Sequence, residues 1–213
     1  MKSTLSNMTA VLFGITLVAS AGVGVVNLIT EAPIAEAKRA ATIAALNEVL
    51  PTFDNTTVET LTLDELPITV YTATEADEVV GYAVETLTKQ GFGGAIRMMV
   101  GFTPTGEVIN VNVLEQSETP GLGTKMTEEN NPLIASFKDK NPAAMKMAVK
   151  KDGGDVDALT AATISSRAYV DAMSRAYAAY TTVSGEAAAE ADAASGATQP
   201  ATEPEAQKGG QDE

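Results

Sequence analysis

The chain has 213 residues, a net charge of -14, and no cysteine, histidine or tryptophan. Without thiolate or imidazole there is no ligand set for an iron–sulfur cluster, structural zinc or histidine-bound haem, and no Ser-His-Asp or Cys-His nucleophile system; redox work here requires an organic cofactor. The acidic balance, with no basic patch or arm, opposes binding to a nucleic-acid backbone, and the length suits one ordinary domain with a real core.

From Met8 to Ile29 the sequence MTAVLFGITLVASAGVGVVNLI carries no charge. As a helix these residues measure about 33 Å, enough to cross a hydrocarbon core. Ala19-Ser20-Ala21 also resembles a signal-peptide cleavage site, but the apolar run continues through Val23, Val25, Val26, Leu28 and Ile29, which favours an uncleaved anchor. Lys2 precedes the span and Lys38 and Arg39 follow it, so charge alone does not set its orientation. Next, EAPIAEAKRAATIAALNEVLP predicts a juxtamembrane helix with Ile43, Leu46 and Leu50 on one face and Pro51 closing it.

A strand-rich section follows. Leu61 and Leu63, Ile68 and Val70, and Tyr82 and Val84 alternate with polar or small neighbours, as half-buried strands do. AIRMMVGF and VINVNVLE flank Thr103-Pro104-Thr105-Gly106, which has the proline and glycine positions of a type I turn and predicts a hairpin. PLIASFKD reads as a short helix burying Leu133, Ile134 and Phe137. AMKMAVKK alternates Met145, Met147 and Val149 with Lys146, Ala148 and Lys150, the pattern of a strand with one wet face. ISSRAYVDAMSRAYAAY places Tyr169, Met173, Ala176 and Tyr180 on one helical stripe, and Arg167, Asp171 and Arg175 on another as an i,i+4 charge series. From Ser184 on, seven acidic residues face only Lys208 and almost nothing can be buried, so the expectation is a disordered tail. The fold class expected is α+β: a largely antiparallel sheet flanked by helices and preceded by one transmembrane helix. Its parts are an N-terminus over 1–7, the span over 8–29, one domain with its juxtamembrane helix over 30–183, and the acidic tail over 184–213.

Two segments can carry chemistry. DALTAATISS, Asp157 to Ser166, joins the wet-faced strand to the last helix. Thr160 or Thr163 can serve there as an N-cap, with Ser165 or Ser166 filling further orphan donors. The same small residues, hydroxyls and helix amides also suit a phosphate, and spacing does not decide between the two. SETPGLGTKM, Ser117 to Met126, is a tight glycine-marked turn. Its backbone can approach a flat ligand, with Glu118 and Thr119 as polar handles and Leu122 as an apolar contact.

Taken together, GYAVETLTKQGFGGAIRMMVGFTPTGEVINVNVLEQSETPGLGTKM and the later VDALTAATISSRAYVDAM resemble the FMN-binding domain of the G subunit of the Rnf ion-translocating electron-transport complex, and the related C subunit of the sodium-pumping NADH:quinone reductase. The resemblance runs from about Ala32 to Tyr180 and includes the preceding span. It implies FMN joined covalently as a phosphoester to the last threonine of D-x-x-(S/T)-x-A-T, transferred from FAD by a flavin transferase. By position that threonine is Thr163, with Asp157, Thr160, Ala161 and Ala162 as its context; the family usually has glycine where Ala161 stands. The phosphate would meet Ile164, Ser165 and Ser166 through amides and hydroxyls, and the flavin would meet Glu118, Thr119, Leu122, Gly123, Thr124 and Lys125, with Lys125 either the cation of that loop or a solvated surface lysine. No metal and no catalytic residue is implied; the chain relays electrons as one subunit among other membrane and redox subunits, its domain outside the cytoplasm. A C-type quinone-reductase subunit, a free-standing flavin carrier and a flavin-free membrane-tethered binding module are the alternatives. A second segment, DAASGATQP from Asp192 to Pro200, matches the motif letter by letter at Thr198, but Gln-Pro-Ala-Thr-Glu-Pro follows it and does not open a helix.

Overall fold

A computed structural model describes the backbone of residues 5–196 and the side chains as far as Gly185. Its first element, α1, runs unbroken from Leu5 to Val49. The membrane span and the juxtamembrane helix expected from the sequence are therefore one helix, continuous through Pro33. Among the described residues this is the one helix long and apolar enough to cross a membrane. Its hydroxyls turn back on the helix: Thr9 donates to the Leu5 carbonyl and Thr16 to that of Leu12, each at 3.0 Å, and Thr30 to that of Val26 at 2.9 Å. Polar side chains satisfied within their own helix can face hydrocarbon without an orphaned donor.

Five strands then form an antiparallel meander in the order β1 (Asn55–Leu63), β2 (Leu66–Glu75), β3 (Glu78–Thr88), β4 (Ile96–Phe102) and β5 (Val108–Glu115). The first two connections are two-residue loops with both residues at positive φ, Asp64-Glu65 and Ala76-Asp77, the backbone twist that tight hairpins select. The expected β4–β5 hairpin is present: the Gly106 amide donates to the Thr103 carbonyl at 3.0 Å, and Gly106 sits at φ 85°. The short helix α2 spans Pro132–Phe137, capped by the Asn131 side chain, with Leu133 and Phe137 buried. The last helix, α3, spans Thr163–Gly196. Its backbone thus stays helical from Ser184 to Gly196, while Thr198 and the rest of the acidic segment lie outside the described residues.

Helices cover both faces of the sheet, giving an α+β fold. On one face Tyr169, Met173, Ala176 and Tyr180 of α3 are buried against Ile68, Val70, Val84, Met98 and Val100. On the other, the end of α1 buries Ala45, Leu46, Val49 and Leu50 against Ala73, Ala83 and Met99. Ile43 does not join them and stays exposed, whereas Leu46 and Leu50 do, and the buried set 45, 46, 49 and 50 has the spacing i, i+1, i+4, i+5. Gly101 makes this contact possible, because a Cβ there would stand 1.9 Å from the Val49 carbonyl oxygen.

Two expectations are corrected. Residues 145–149 form no strand; they are held by a single parallel bridge between Val149 and Val156 and by the Lys146 amide donating to Asp155 at 2.6 Å. Met145 and Met147 still pack on the core, so the alternation records burial without ladder pairing. The i,i+4 charges on α3 pair with other elements: Arg167 binds Asp152 at 2.7 Å, Asp171 accepts from Thr88 at 2.7 Å, and Arg175 binds Asp64 at 2.7 Å.

The direction of α1 fixes which end of the sheet its apolar part adjoins. Lys38 pairs with Glu115 at the end of β5 at 3.3 Å, Glu48 receives the Asn112 amide at 2.5 Å, and Val49 lies over Gly101. The helix therefore runs antiparallel to β5, and its apolar part leaves the domain at the end of the sheet where β3 finishes, β4 begins and β5 finishes. Across that end, Arg97 bridges Glu85 at 2.5 Å and Glu115 at 2.8 Å, so β3, β4, β5 and α1 are tied by one chain of charges.

Candidate functional site

At the same end of the sheet three segments converge: the β3–β4 connection (residues 89–95), the loop after β5 (residues 116–122) with the 3-10 turn Gly123–Thr127, and the corner leading into α3. Between them lies a cleft of about 410 Å³ lined by Phe92, Thr119, Leu122, Gly123, Ala161, Ala162, Thr163, Ile164 and Ser165. Its size falls in the range of small-molecule sites.

Close packing builds one wall. Glu118 is only 4% exposed. One carboxylate oxygen accepts from the Gly93 amide at 3.0 Å, and the other accepts from the Ser165 hydroxyl. A Cβ on Gly93 would lie 1.8 Å from the Ser117 carbonyl oxygen, and one on Gly123 would lie 2.7 Å from the Glu118 side chain. Glycine is required at both places for room, because neither has a positive φ.

The corner opposite is built on conformation. Ala161 adopts φ 60°, the left-handed region that costs an ordinary residue about 1–2 kcal/mol. This explains why glycine suits that position. After it, Ser166 organises the turn: its hydroxyl accepts from the Leu159 amide and donates to the Ala162 carbonyl, both at 2.9 Å, and its amide donates to the same carbonyl at 2.9 Å. Neither Thr160 nor Thr163 caps the helix through its side chain. Among the described residues, the amides of Thr163, Ile164 and Ser165 find no acceptor in the chain and stay available at the positive end of the helix dipole.

The residues singled out in the sequence are thus partly brought together. Thr119, Leu122, Gly123, Ala161, Ala162, Thr163, Ile164 and Ser165 line the cleft. Ser166 is buried with both its amide and its hydroxyl engaged, and the Ser165 hydroxyl is committed to Glu118, so neither hydroxyl is free for a phosphate. Glu118 lies behind the wall and offers the cleft no polar handle. Thr124 uses its hydroxyl to accept from the Gly121 amide at 2.9 Å. Lys125 and Thr160 are exposed and outside the lining, and Asp157 pairs with Lys150 at 2.7 Å.

Sequence reasoning missed Phe92, which lines the cleft while 66% exposed. The only signal for it was a lone aromatic set among glycines in Gly91-Phe92-Gly93-Gly94.

An apolar cleft ending on unpaired helix amides is chemically suited to a flat ring bearing a terminal phosphate. Residues 91–178 match the family model described as the FMN-binding domain, and this range contains the whole cleft. The chain is 38% identical over 188 residues to the G subunit of the ion-translocating oxidoreductase complex of Shewanella amazonensis, covering 82% of this chain and 86% of the relative. It is 37% identical over 192 residues to the G subunit of the same complex in Pseudomonas aeruginosa, covering 82% and 87%. For the G subunit of Shewanella loihica the identity is 33% over 189 residues, covering 82% and 89%. With its FMN-binding domain and N-terminal apolar helix, the chain belongs to the family of G subunits of ion-translocating oxidoreductase complexes.

Proposed function

We propose that this chain is the electron-relay subunit of an Rnf-type complex, carrying FMN joined covalently to Thr163 through a phosphoester, in a complex that couples electron flow between ferredoxin and NAD to movement of Na+ or H+. The observation that carries this reading is the setting of Thr163. It is the first residue of α3, it lines the cleft, its hydroxyl caps nothing, and three unpaired amides begin beside it.

In maturation the Thr163 hydroxyl oxygen forms a new bond to the phosphorus of the FMN half of FAD. The pyrophosphate link breaks, AMP leaves and the hydroxyl proton is lost, with the flavin transferase as partner. The amides of Thr163, Ile164 and Ser165, with the α3 dipole, then stabilise the phosphate charge. Leu122 and Ile164, exposed by 40% and 47%, supply apolar surface for the ring. FMN, when bound, supplies electron-transfer chemistry that no side chain of a protein lacking cysteine and histidine provides.

α1 anchors the chain in the cell membrane, with the domain on the extracytoplasmic side. Its apolar run ends at Ile29, and Lys38 pairs at the cleft end of the sheet nine residues later. At helical rise those residues span about 14 Å, which keeps the cleft close to membrane-embedded partners.

The test is co-expression with a flavin transferase followed by flavin fluorescence of the denatured band. The parent fluoresces, Thr163→Ala does not, and Thr198→Ala does. A dark parent band in the presence of active transferase rejects the covalent flavin, and a fluorescent Thr163→Ala band that goes dark with Thr198→Ala moves the attachment to the tail.

A further inference from the structure

Beyond α1, five large apolar side chains are exposed among the described residues: Val58, Val79, Phe92, Leu122 and Ile164. Three of the five, Phe92, Leu122 and Ile164, line the same cleft. Exposed apolar side chains gathered at one concave place mark a binding surface, whereas scattered ones carry no message.

Phe92 is the most exposed of the three, and the glycines on both sides of it are closely packed. A Cβ on Gly91 would stand 2.2 Å from the Gly94 carbonyl oxygen and 2.7 Å from a Glu118 carboxylate oxygen. On the other side Gly93 is pressed against Ser117 and donates its amide to Glu118. The second oxygen of the same carboxylate holds Ser165, whose neighbours Thr163 and Ile164 face the cleft. A buried carboxylate surrounded by hydrogen-bond donors fixes geometry more strictly than an apolar contact, because moving either donor leaves a buried charge under-satisfied.

We propose that Phe92 is the aromatic wall on which the flavin ring stacks, and that Glu118 is a positioning residue that latches this wall to the first turn of α3. The inference rests on the reading of Thr163 as the attachment point, and it deepens that reading by naming what orients the ring. The structure supplies the elements: an offset-stacking surface held out to solvent, a loop that glycines and one carboxylate prevent from relaxing, and the same carboxylate bonded to the helix that carries the threonine.

The chain has no tryptophan, so Phe92→Trp installs a single reporter at the wall. In the full detergent-solubilised chain prepared without flavin, Glu118→Gln lowers the fluorescence anisotropy of this reporter and increases its quenching by acrylamide, while the thermal transition stays cooperative. Ser165→Ala, which removes one donor to the same carboxylate, produces the same change and serves where Glu118→Gln fails to fold. In the flavinylated chain the visible circular dichroism and midpoint potential of the flavin are kept by Phe92→Tyr and altered by Phe92→Leu; Glu118→Gln with Phe92 intact reproduces the Phe92→Leu signature. A Phe92→Leu protein with the parent's flavin dichroism and potential overturns the stacking wall. Unchanged reporter anisotropy in both Glu118→Gln and Ser165→Ala overturns the latch. If the parent takes up no flavin, the attachment reading fails separately, and titration of free FMN against the single tryptophan still decides: quenching by more than half supports the wall, and none overturns it.

Discussion

The two walls of the cleft are made by opposite means. On the Glu118 side, Gly91, Gly93 and Gly123 stand where an added methyl group would collide with backbone or with the buried carboxylate, and none of the three has a positive φ. On the Thr163 side, Ala161 has the φ of 60° that favours glycine, yet the chain places a methyl there. One wall therefore depends on closeness and the other on conformation. Glycine serves both needs, but a substitution reveals which need applies: added volume disrupts the first wall, and removed volume relaxes the second.

The largest effect expected is at Gly93. Gly93→Ala drives a methyl to within 1.8 Å of the Ser117 carbonyl oxygen, and the atom in the way is backbone that cannot swing aside. Destabilisation of about 3 kcal/mol or more is expected, from overpacking plus disturbance of the amide bond to Glu118. Chemical denaturation of the detergent-solubilised chain measures it as a lower midpoint. A loss below about 1 kcal/mol would mean that the loop slides easily, and the contrast between a rigid and a strained wall would collapse.

A second, pH-dependent effect concerns the helix on which the open wall is built. Tyr169 is completely buried on α3, stacked on Phe137 at 6.3 Å between ring centroids, and its hydroxyl has no hydrogen-bond partner among the described residues. Burial pushes its phenol well above the ordinary value of 10.0. The proton is held more tightly in the folded state, so the stability contribution is intact below pH 10 and is lost as pH rises beyond it, at up to about 1.4 kcal/mol per pH unit. Tyr169→Phe removes this one proton from the linkage. Its alkaline unfolding should be shallower than the parent's by one proton, while stability at neutral pH changes by about 1 kcal/mol or less, because the hydroxyl lost was unpaired. Equal slopes for the two proteins would locate Tyr169 in contact with water and loosen the base of the Thr163 wall.

The contrast between the walls also explains what was legible in the sequence. Leu122 stood out as an apolar contact in a Pro-Gly turn, while Thr163 and Gly123 were named through the family resemblance carried by the D-x-x-T-x-A-T corner and that turn, because local spacing left the corner open between a helix cap and a phosphate site. The place of Phe92 in the cleft and the burial of Glu118 were not visible. A phenylalanine among glycines carries no local pattern, and a glutamate in a loop reads as a polar handle. Its burial is decided by Ser165, 47 residues later, and by Gly93, 25 residues earlier. The β4–β5 hairpin and α3 were recovered because Pro104, Gly106 and the four-three-four apolar spacing act locally. The strand expected at 145–149 failed because alternation reports which side chains are buried, and Met145 and Met147 are half-buried with no ladder beside them. The unbroken α1 was read as two helices because the apolar run stops at Ile29 and charged residues follow; Pro33 removes one hydrogen bond while the flanking turns persist.

The smallest effect is the most direct test of the comparison. Ala161→Gly removes the methyl from a left-handed residue, recovering about 1–2 kcal/mol of conformational strain. Against this stands about 0.5–1 kcal/mol of extra chain entropy lost on folding when glycine replaces alanine. The net gain lies between about 0 and 1.5 kcal/mol, and Ala162→Gly, one position later without the positive φ, should have the opposite sign at similar size. Denaturant midpoints at unchanged slope read both variants. If the two substitutions shift the midpoint in the same direction, Ala161 stores no strain and the corner before Thr163 is held by packing like the opposite wall. If their signs differ, the strain at Ala161 belongs to the backbone turn that sets Thr163 at the head of α3, with its hydroxyl uncommitted and its amide unpaired.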